Sequence, residues 1–325
     1  MKTAIVTGSY GYIGSVLTKI LKENDYYVVG IDNHEDHGLD WVNGGPRTKY
    51  CDDTLAEDFV SSNALHLYKE YPNATIFHLA ANSLLGPSAY DPLSYYENNT
   101  IKTLKLIQSI KPSNKLIFAS TAAVYAETDK CVSEGSKICP PNNYGRSKLW
   151  CEQMLDASYE IINLRAASFR FFNVIGAYGD VGQLPETPHI VNQLCDRSMK
   201  KEVFTINGTG FDTRDGTCVR DYLHVVDVSK ALIHADNYIG DEPCHHKFNL
   251  GTKHGYSVKE IVDIFKHECH NVDVKIGSPR IGDPPYLVAN PNKFIKQTGF
   301  KYKMSDDLVA MIKSAWEYRN AFRGK

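Results

Sequence analysis

Neither sign of charge dominates this chain. Its 36 Lys and Arg stand against 38 Asp and Glu over 325 residues, a formal charge of -2. A chain so balanced offers no broad basic field to a phosphate backbone or an acidic membrane surface, so no nucleic-acid or membrane partner is expected. No apolar run approaches the roughly 18 residues of a membrane helix. The opening Met1-Lys2-Thr3-Ala4-Ile5-Val6-Thr7-Gly8 turns into glycine too soon for a signal peptide, and the expectation is a soluble, cytoplasmic protein. Cys51, Cys131, Cys139, Cys151, Cys195, Cys218, Cys244 and Cys269 include no C-x-x-C pair. Neither a zinc site nor a secreted disulfide framework is signalled, and reduced, structural thiols are expected. With 23 Gly and 14 Pro the chain lacks the composition of a disordered segment, and it has no internal repeat or long linker. Its length is about two domains' worth.

What is present is an alternation. Short β-branched runs at 2–7, 26–31, 75–79, 115–119 and 161–169 are separated by helix-like stretches near 54–70, 92–110 and 143–159. Parallel strands need helical crossovers, so this pattern predicts an α/β fold with a doubly wound parallel sheet covered on both faces. After about residue 172 the alternation loosens. Turn-rich stretches at 176–188 and 207–217 and prolines at 279–291 predict a smaller, mixed α/β substrate-binding lobe, with amphipathic helices at 257–270 and 305–320. Residues 222–238 read as a strand and helix that return to the main sheet. The expected division is 1–172 plus about 221–250 for the first domain, and about 173–220 plus 251–325 for the lobe.

Gly8, Gly11 and Gly14 fall between the first strand and the first helix, where a phosphate-binding turn belongs: one glycine closes the turn, one admits a pyrophosphate, one permits close helix packing. Asp32 ends the second run, placed to accept ribose hydroxyls and to repel a 2′-phosphate, which favours NAD over NADP; Asn33 beside it is an uncharged polar partner. Asp52 and Asp53 follow as candidates to reach the adenine, or as a solvated acidic turn. These features make the first domain Rossmann-type.

Tyr144 and Lys148, four residues apart, share one face of a helix. A cation beside a phenol, together with a positive nicotinamide ring, favours phenolate and makes Tyr144 a candidate proton shuttle for a sugar hydroxyl. Ser120 and Thr121 end the 115–119 strand, at the carboxyl edge where ligands of open α/β sheets bind.

Over nearly its whole length the chain resembles the extended short-chain dehydrogenase/reductase superfamily, and within it the UDP-glucose (UDP-galactose) 4-epimerases. The matching segments are TGSYGYIGS (7–15), DN (32–33), HLAA (78–81), PLSYYENN (92–99), STAAVY (120–125), YGRSK (144–148), RFFNVIGA (170–177), DGTCVRDYLHV (215–225), NLG (249–251) and GDPPYLVAN (282–290). The glycine motif is generic; RFFN with DGTCVRDYLHV is far more specific. The resemblance implies Tyr144 as base and acid, Lys148 as its ribose-binding partner, and Thr121 as the hydroxyl on the sugar O4. It implies that Gly8, Gly11, Tyr12, Ile13, Gly14, Asp32, Asn33, Asp52, Asp53, Leu79, Ala80, Ala81, Asn98, Ser120, Tyr144, Lys148 and Phe171 line NAD. Thr121, Asn173, His189, Thr205, Asn207, Arg220, Arg280, Asp283 and Leu287 would hold a UDP-sugar, with Arg220 and Arg280 on the diphosphate. The bland alternative for Arg220 is a surface ion pair with Asp221 or Asp215.

The implied reaction inverts C4 through a transient 4-keto sugar with no net redox, and the implied assembly is a homodimer built on the helices near 92–110 and 143–159. Departures from the family pattern fall on the sugar side: Ser83 where a Lys is common, Pro188 where a donor to the nucleotide is common, and an altered loop at 82–87. The 34–47 segment is shorter than the family's. A UDP-GlcNAc 4-epimerase and a decarboxylase remain alternatives. A 4,6-dehydratase needs an Asp-Glu pair after Thr121, where Ala122 and Ala123 stand. A non-catalytic NAD-binding scaffold would have no use for Thr121, Tyr144 and Lys148 together.

Overall fold

A computed structural model describes residues 1–33, 49–185, 187–280 and 283–322. The 34–47 segment lies outside the described residues. The chain divides into two compact units, the first comprising Met1–Val124, Asn142–Arg170 and Ser229–Phe248, the second Tyr125–Pro141, Phe171–Val228 and Asn249–Lys325.

The first part of the chain runs β1 (Thr3–Thr7), α1 (Tyr12–Glu23), β2 (Tyr27–Ile31), β3 (Asp53–Leu55), α2 (Ser62–Glu70), β4 (Thr75–His78), α3 (Leu85–Tyr90), α4 (Pro92–Tyr95), a π-helical turn (Tyr96–Ile101), α5 (Lys102–Ser109), β5 (Lys115–Thr121), α6 (Asn143–Ser158) and β6 (Arg165–Phe171). It continues through β7 (Asn173–Ile175), α7 (Ile190–Lys200), β8 (Phe204–Asn207), β9 (Val219–His224), α8 (Val225–Tyr238), β10 (Cys244–Leu250), β11 (Gly255–Ser257), α9 (Val258–Glu268), β12 (Val274–Gly277), β13 (Tyr286–Leu287), α10 (Asn292–Thr298) and α11 (Leu308–Phe322).

The main sheet has seven strands in the order β10-β6-β5-β4-β1-β2-β3. The β1–β2, β1–β4, β2–β3 and β4–β5 ladders are parallel. This is the predicted doubly wound α/β architecture. Ile5, Val29, Ile76, Leu116 and Phe118 of its strands pack with Leu106 of α5 and Leu155 of α6 in one buried cluster. Each such side chain contributes about 1.5–3 kcal/mol of hydrophobic stabilisation. The strand order reverses between β1 and its two neighbours, β2 and β4, which places a topological switch point at the carboxyl ends of β1 and β4.

Four expectations need correction. Residues 54 and 55 are strand, because Asp53–Leu55 extends the sheet edge beside β2, and the helix begins only at Ser62, where the Ser61 side chain caps it by accepting from the Ala64 amide. The 92–110 stretch is broken by the π-helical turn, which α6 pins: Asn99 Nδ2 donates to Ser147 Oγ at 3.0 Å and Thr100 Oγ1 to the Ser147 carbonyl at 3.1 Å. The 161–169 strand begins at Arg165, after Asn163 turns the chain with φ 52. Residues 219–224 do not return to the main sheet. β9 pairs with β7, β11 and β13 in a second sheet, and β10 takes the place beside β6. The reason is Asp221, whose buried carboxylate accepts from the amides of Thr252 (2.8 Å), Lys253 (3.0 Å) and Ala289 (3.1 Å), a demand that only the loops of the second unit meet.

The second unit carries its own core, in which Ile175, Leu194, Phe204, Tyr222, Ile261, Phe265, Met311 and Ile312 are buried together. Among the described residues no helix is long and apolar enough to cross a membrane, and no cluster of metal-binding side chains occurs.

Candidate active site

Sterics shape the glycine turn. Gly8 sits at φ +72, in the left-handed region, and a Cβ there would lie 2.8 Å from the Ala80 nitrogen. On Gly14 a Cβ would lie 2.0 Å from the Gly8 carbonyl oxygen. Gly11 caps α1, and its amide donates to that same oxygen at 3.1 Å. Tyr12 and Ile13 open the helix, whose first turn carries no acidic residue, so the positive end of its dipole is not cancelled there. Asp32 is buried and accepts from the Tyr10 amide at 2.9 Å, which draws the carboxylate at the end of β2 up to the turn. Asn33 follows it, exposed. A backbone cradle at a helix N-terminus with a carboxylate one strand away fits a dinucleotide that lacks a 2′-phosphate.

Leu79, Ala80 and Ala81 leave the end of β4 half-buried, held by the Leu79 amide on the Thr7 carbonyl (3.1 Å) and the Ala80 amide on Thr7 Oγ1 (3.3 Å). Asn98 donates to Asn82 Oδ1 at 3.2 Å and accepts from Lys102 at 3.1 Å. Asp52 is already engaged: Lys22 Nζ lies 2.6 and 2.8 Å from its two oxygens and the Val28 amide 2.7 Å away. Burial alone would raise its carboxyl, but these donors hold it below its ordinary value. Within the chain, Asp52 thus has Lys22 and the Val28 amide as its partners. Asp53 is exposed at the sheet edge and accepts from the Thr54 amide at 2.8 Å.

Tyr144 and Lys148 both project from α6, which Asn142 caps by accepting from the Gly145 amide at 2.8 Å. The Tyr144 ring meets Tyr95 edge-on, with centroids 6.4 Å apart and planes at 80°. The residue is half-buried, and its phenol is pushed up to about 12, by burial first; a hydrogen bond with Thr121 opposes the push and the Tyr95 phenol adds to it. Lys148 is buried, with Nζ 4.7 Å from the centroid of the Phe118 ring, and burial depresses its ammonium to about 8. Burial is thus the largest influence on the phenol in the chain alone, and the lowering expected of Lys148 together with a nicotinamide ring concerns the NAD-loaded site. Thr121 closes β5, and its Oγ1 accepts from the Ala123 amide at 3.1 Å. Ser120 points elsewhere, donating to Glu152 at 2.5 Å.

In the second unit, Arg220 of β9 faces Asp283 at 3.4 Å and donates to its own strand at the Val219 carbonyl, 2.9 Å away. The bland pairing with Asp221 or Asp215 does not occur: Asp221 holds the three amides named above and Asp215 accepts from Thr217 and Ser257. Asn207 ends β8, and with its amide oxygen turned to Arg280 it accepts from Nε and Nη2 at 3.1 Å each. Thr205 lies on the same strand, opposite Lys275. Leu287 is paired with Arg220 across β13 and β9. Asn173 opens β7 and hydrogen-bonds Tyr222, Phe171 closes β6, and His189 is exposed at the N-cap of α7. Arg220, Asp283 and Leu287 are thus brought together, as are Asn207 and Arg280. Sequence reasoning passed over Glu152 and Arg170, although Glu152 repeats the four-residue step from Tyr144 to Lys148.

A doubly wound sheet with a glycine turn at its switch point, and a Thr-Tyr-Lys set beside it, defines a dinucleotide-dependent enzyme class. Residues 4–251 match the model of the NAD dependent epimerase/dehydratase family. The chain belongs to that family, and NAD is its cofactor. It is 32% identical to a UDP-glucose 4-epimerase of Corynebacterium glutamicum, over 98% of this chain and 95% of that one. Among solved structures, it is similar to the UDP-glucose 4-epimerase of Stenotrophomonas maltophila with bound NAD and formylated UDP-arabinopyranose (TM-score 0.91, 28% identity, 100% and 99% of the two chains). It is also similar to the UDP-Glc/GlcNAc 4-epimerase of Campylobacter jejuni (TM-score 0.82, 32% identity, 99% and 100%).

Proposed function

We propose that this protein is an isomerase that inverts C4 of a UDP-hexose, UDP-glucose and UDP-galactose foremost. The observation that carries the reading is the hydrogen-bonded pair of Tyr144 and Thr121, on the helix and strand flanking the switch point, with Lys148 one turn along the same helix. NAD, when bound, supplies an acceptor and then a donor for the two electrons exchanged at C4. Gly8, Gly11, Gly14 and the first turn of α1 hold its diphosphate and Asp32 its ribose. Thr121 Oγ1 holds the sugar O4, and Tyr144 Oη takes the O4 proton and later returns it. Ala122 and Ala123 form a short turn after Thr121 and carry no acid for an elimination, which separates this reading from a dehydratase.

In the second unit, Arg220, Arg280 and Asn207 provide the donors for a nucleoside diphosphate, and by the family resemblance Asn173, His189, Thr205 and Asp283 contribute to the same ligand. Tight hold on the nucleotide and loose hold on the hexose suit a reaction that must present both faces of one ring. Leu287 favours a second substrate: by the family resemblance this is the position where some members carry a large Tyr that closes the pocket around C2, a Leu leaves more room there, and UDP-GlcNAc is also turned over.

The same reading includes a homodimer through α5 and α6. Leu104, Ile107, Ile110, Met154, Ile161 and Ile162 line a groove of about 660 Å³ there, and exposed Trp150 stacks on Tyr96 at 4.7 Å beside it. A cytoplasmic setting suits the eight free cysteines. Incubating the purified protein with UDP-glucose, UDP-galactose and UDP-GlcNAc, without added NAD, and analysing the products tests the reading. Interconversion of C4 epimers supports it, and a net oxidised or dehydrated product refutes it.

A further inference from the structure

Glu152 and Arg170 carry buried charge in the first unit, and the reaction outlined above uses neither. Their side chains are 2% and 4% exposed, and Arg170 Nη2 lies 2.6 Å from Glu152 Oε2. Glu152 Oε1 accepts from Arg170 Nε at 3.0 Å and from Ser120 Oγ at 2.5 Å. One carboxylate therefore ties together α6, β5 and β6. Tyr144, Lys148 and Glu152 follow each other at four-residue steps on α6, so Glu152 stands two turns along the face that presents the base. Ser120 is the residue before Thr121 on β5.

A buried ion pair is a poor way to gain stability, since apolar side chains of similar volume hold a core together as well or better. What it has, and apolar packing lacks, is direction. The Arg fork fixes the carboxylate, and the carboxylate fixes the Ser120 hydroxyl by a short, charge-assisted hydrogen bond. The strand end that carries Thr121 is thereby referenced to the helix that carries Tyr144. Reaction rates are sensitive to misplacement on the scale of 1 Å, which gives such a brace a use.

We propose that Glu152 and Arg170 are positioning residues, a brace that sets Ser120, and through it Thr121, against Tyr144. The proposal rests on the epimerase reading.

Two variants test it, each assayed for melting temperature, bound NAD, kcat and KM with UDP-glucose. The first is the double replacement Glu152→Leu with Arg170→Met, which leaves no unpaired buried charge. The expected result is a melting temperature and NAD content close to the parent's, KM within about twofold and kcat lower by about tenfold. A double variant that melts and turns over like the parent reduces the pair to packing and overturns the proposal. Should the double variant not fold, Ser120→Ala decides, because it keeps the ion pair: kcat about tenfold lower at unchanged KM and NAD content supports the brace. Parent-like kcat, or loss of NAD, from Ser120→Ala overturns it. An inactive parent refutes the epimerase reading itself, and the brace with it.

Discussion

Gly14 leaves no room for a side chain against Gly8, whose carbonyl oxygen would stand 2.0 Å from any Cβ placed there. The nearest atoms are backbone, the Gly8 carbonyl carbon at 2.9 Å and Ser9 Cα at 3.0 Å, so nothing flexible can move aside. Gly14→Ala must open the turn that brings the first amides of α1 over the end of β1. The expected outcome is loss of bound NAD and a stability loss of about 1–3 kcal/mol, the usual range for overpacking. Release of NAD on denaturation, compared between parent and variant, checks it; a fully NAD-loaded Gly14→Ala protein would contradict the cradle.

Tyr144→Phe removes one oxygen and keeps the edge-on ring contact with Tyr95. Under the epimerase reading the phenol is the group that exchanges a proton with O4, and general acid and base catalysis contributes about 10²–10⁴-fold. We expect kcat to fall by at least about 10² with NAD content and UDP affinity unchanged. A variant whose kcat stays within a fewfold of the parent's would place the base on another residue.

The alternation of β-branched runs and helices was legible because β1, β2, β4, β5 and β6 are each a local apolar pattern in the chain, whereas the short edge strand β3 and the polar-started β10 carry no such pattern. The glycine turn, Asp32 and the Tyr144–Lys148 pair could be picked out for the same reason, since each rests on spacing within one or two elements. What they meet could not. Nothing in the β9 sequence VRDYLH names its sheet, and only the three amides gathered by Asp221 from residues 252, 253 and 289 reveal which one it serves. The hold of Lys22 on Asp52, thirty positions along the chain, likewise leaves no local trace. The Ser120–Glu152–Arg170 contacts join three elements and leave no periodic trace.

Leu287 lies opposite Arg220 in the β13–β9 ladder, close to the group assigned to the diphosphate. If its modest size admits an N-acetyl group, Leu287→Tyr should lower turnover of UDP-GlcNAc relative to UDP-glucose by about tenfold, the scale set by steric fit in a pocket. Competition between the two sugars in one reaction gives the ratio directly. An unchanged ratio would mean that other residues bound the sugar.

His78 gives the protein a built-in sensitivity to acid. The ring is fully buried at the end of β4, with Nδ1 2.7 Å from Thr7 Oγ1 and Nε2 2.8 Å from Thr103 Oγ1. Burial, with the Lys148 ammonium adding to it, pushes the imidazole down to about 3 from an ordinary 6.5. Between those values the unfolded chain binds a proton that the folded chain refuses, so this residue's contribution is present above pH 6.5 and is lost as pH falls. The slope is about 1.4 kcal/mol for each pH unit. Asp221 works in the opposite sense, because burial raises its carboxyl to about 6, and the folded state then holds the extra proton between 3.8 and 6. The two slopes largely cancel in the parent over that range, so urea melts of the parent alone would hide the effect. Comparison with His78→Gln isolates it: the parent's stability advantage over the variant should shrink by about 1.4 kcal/mol per pH unit below pH 6.5. An advantage that stays constant from pH 7 to pH 5 would show that the imidazole takes up its proton in the folded protein as readily as in the unfolded one.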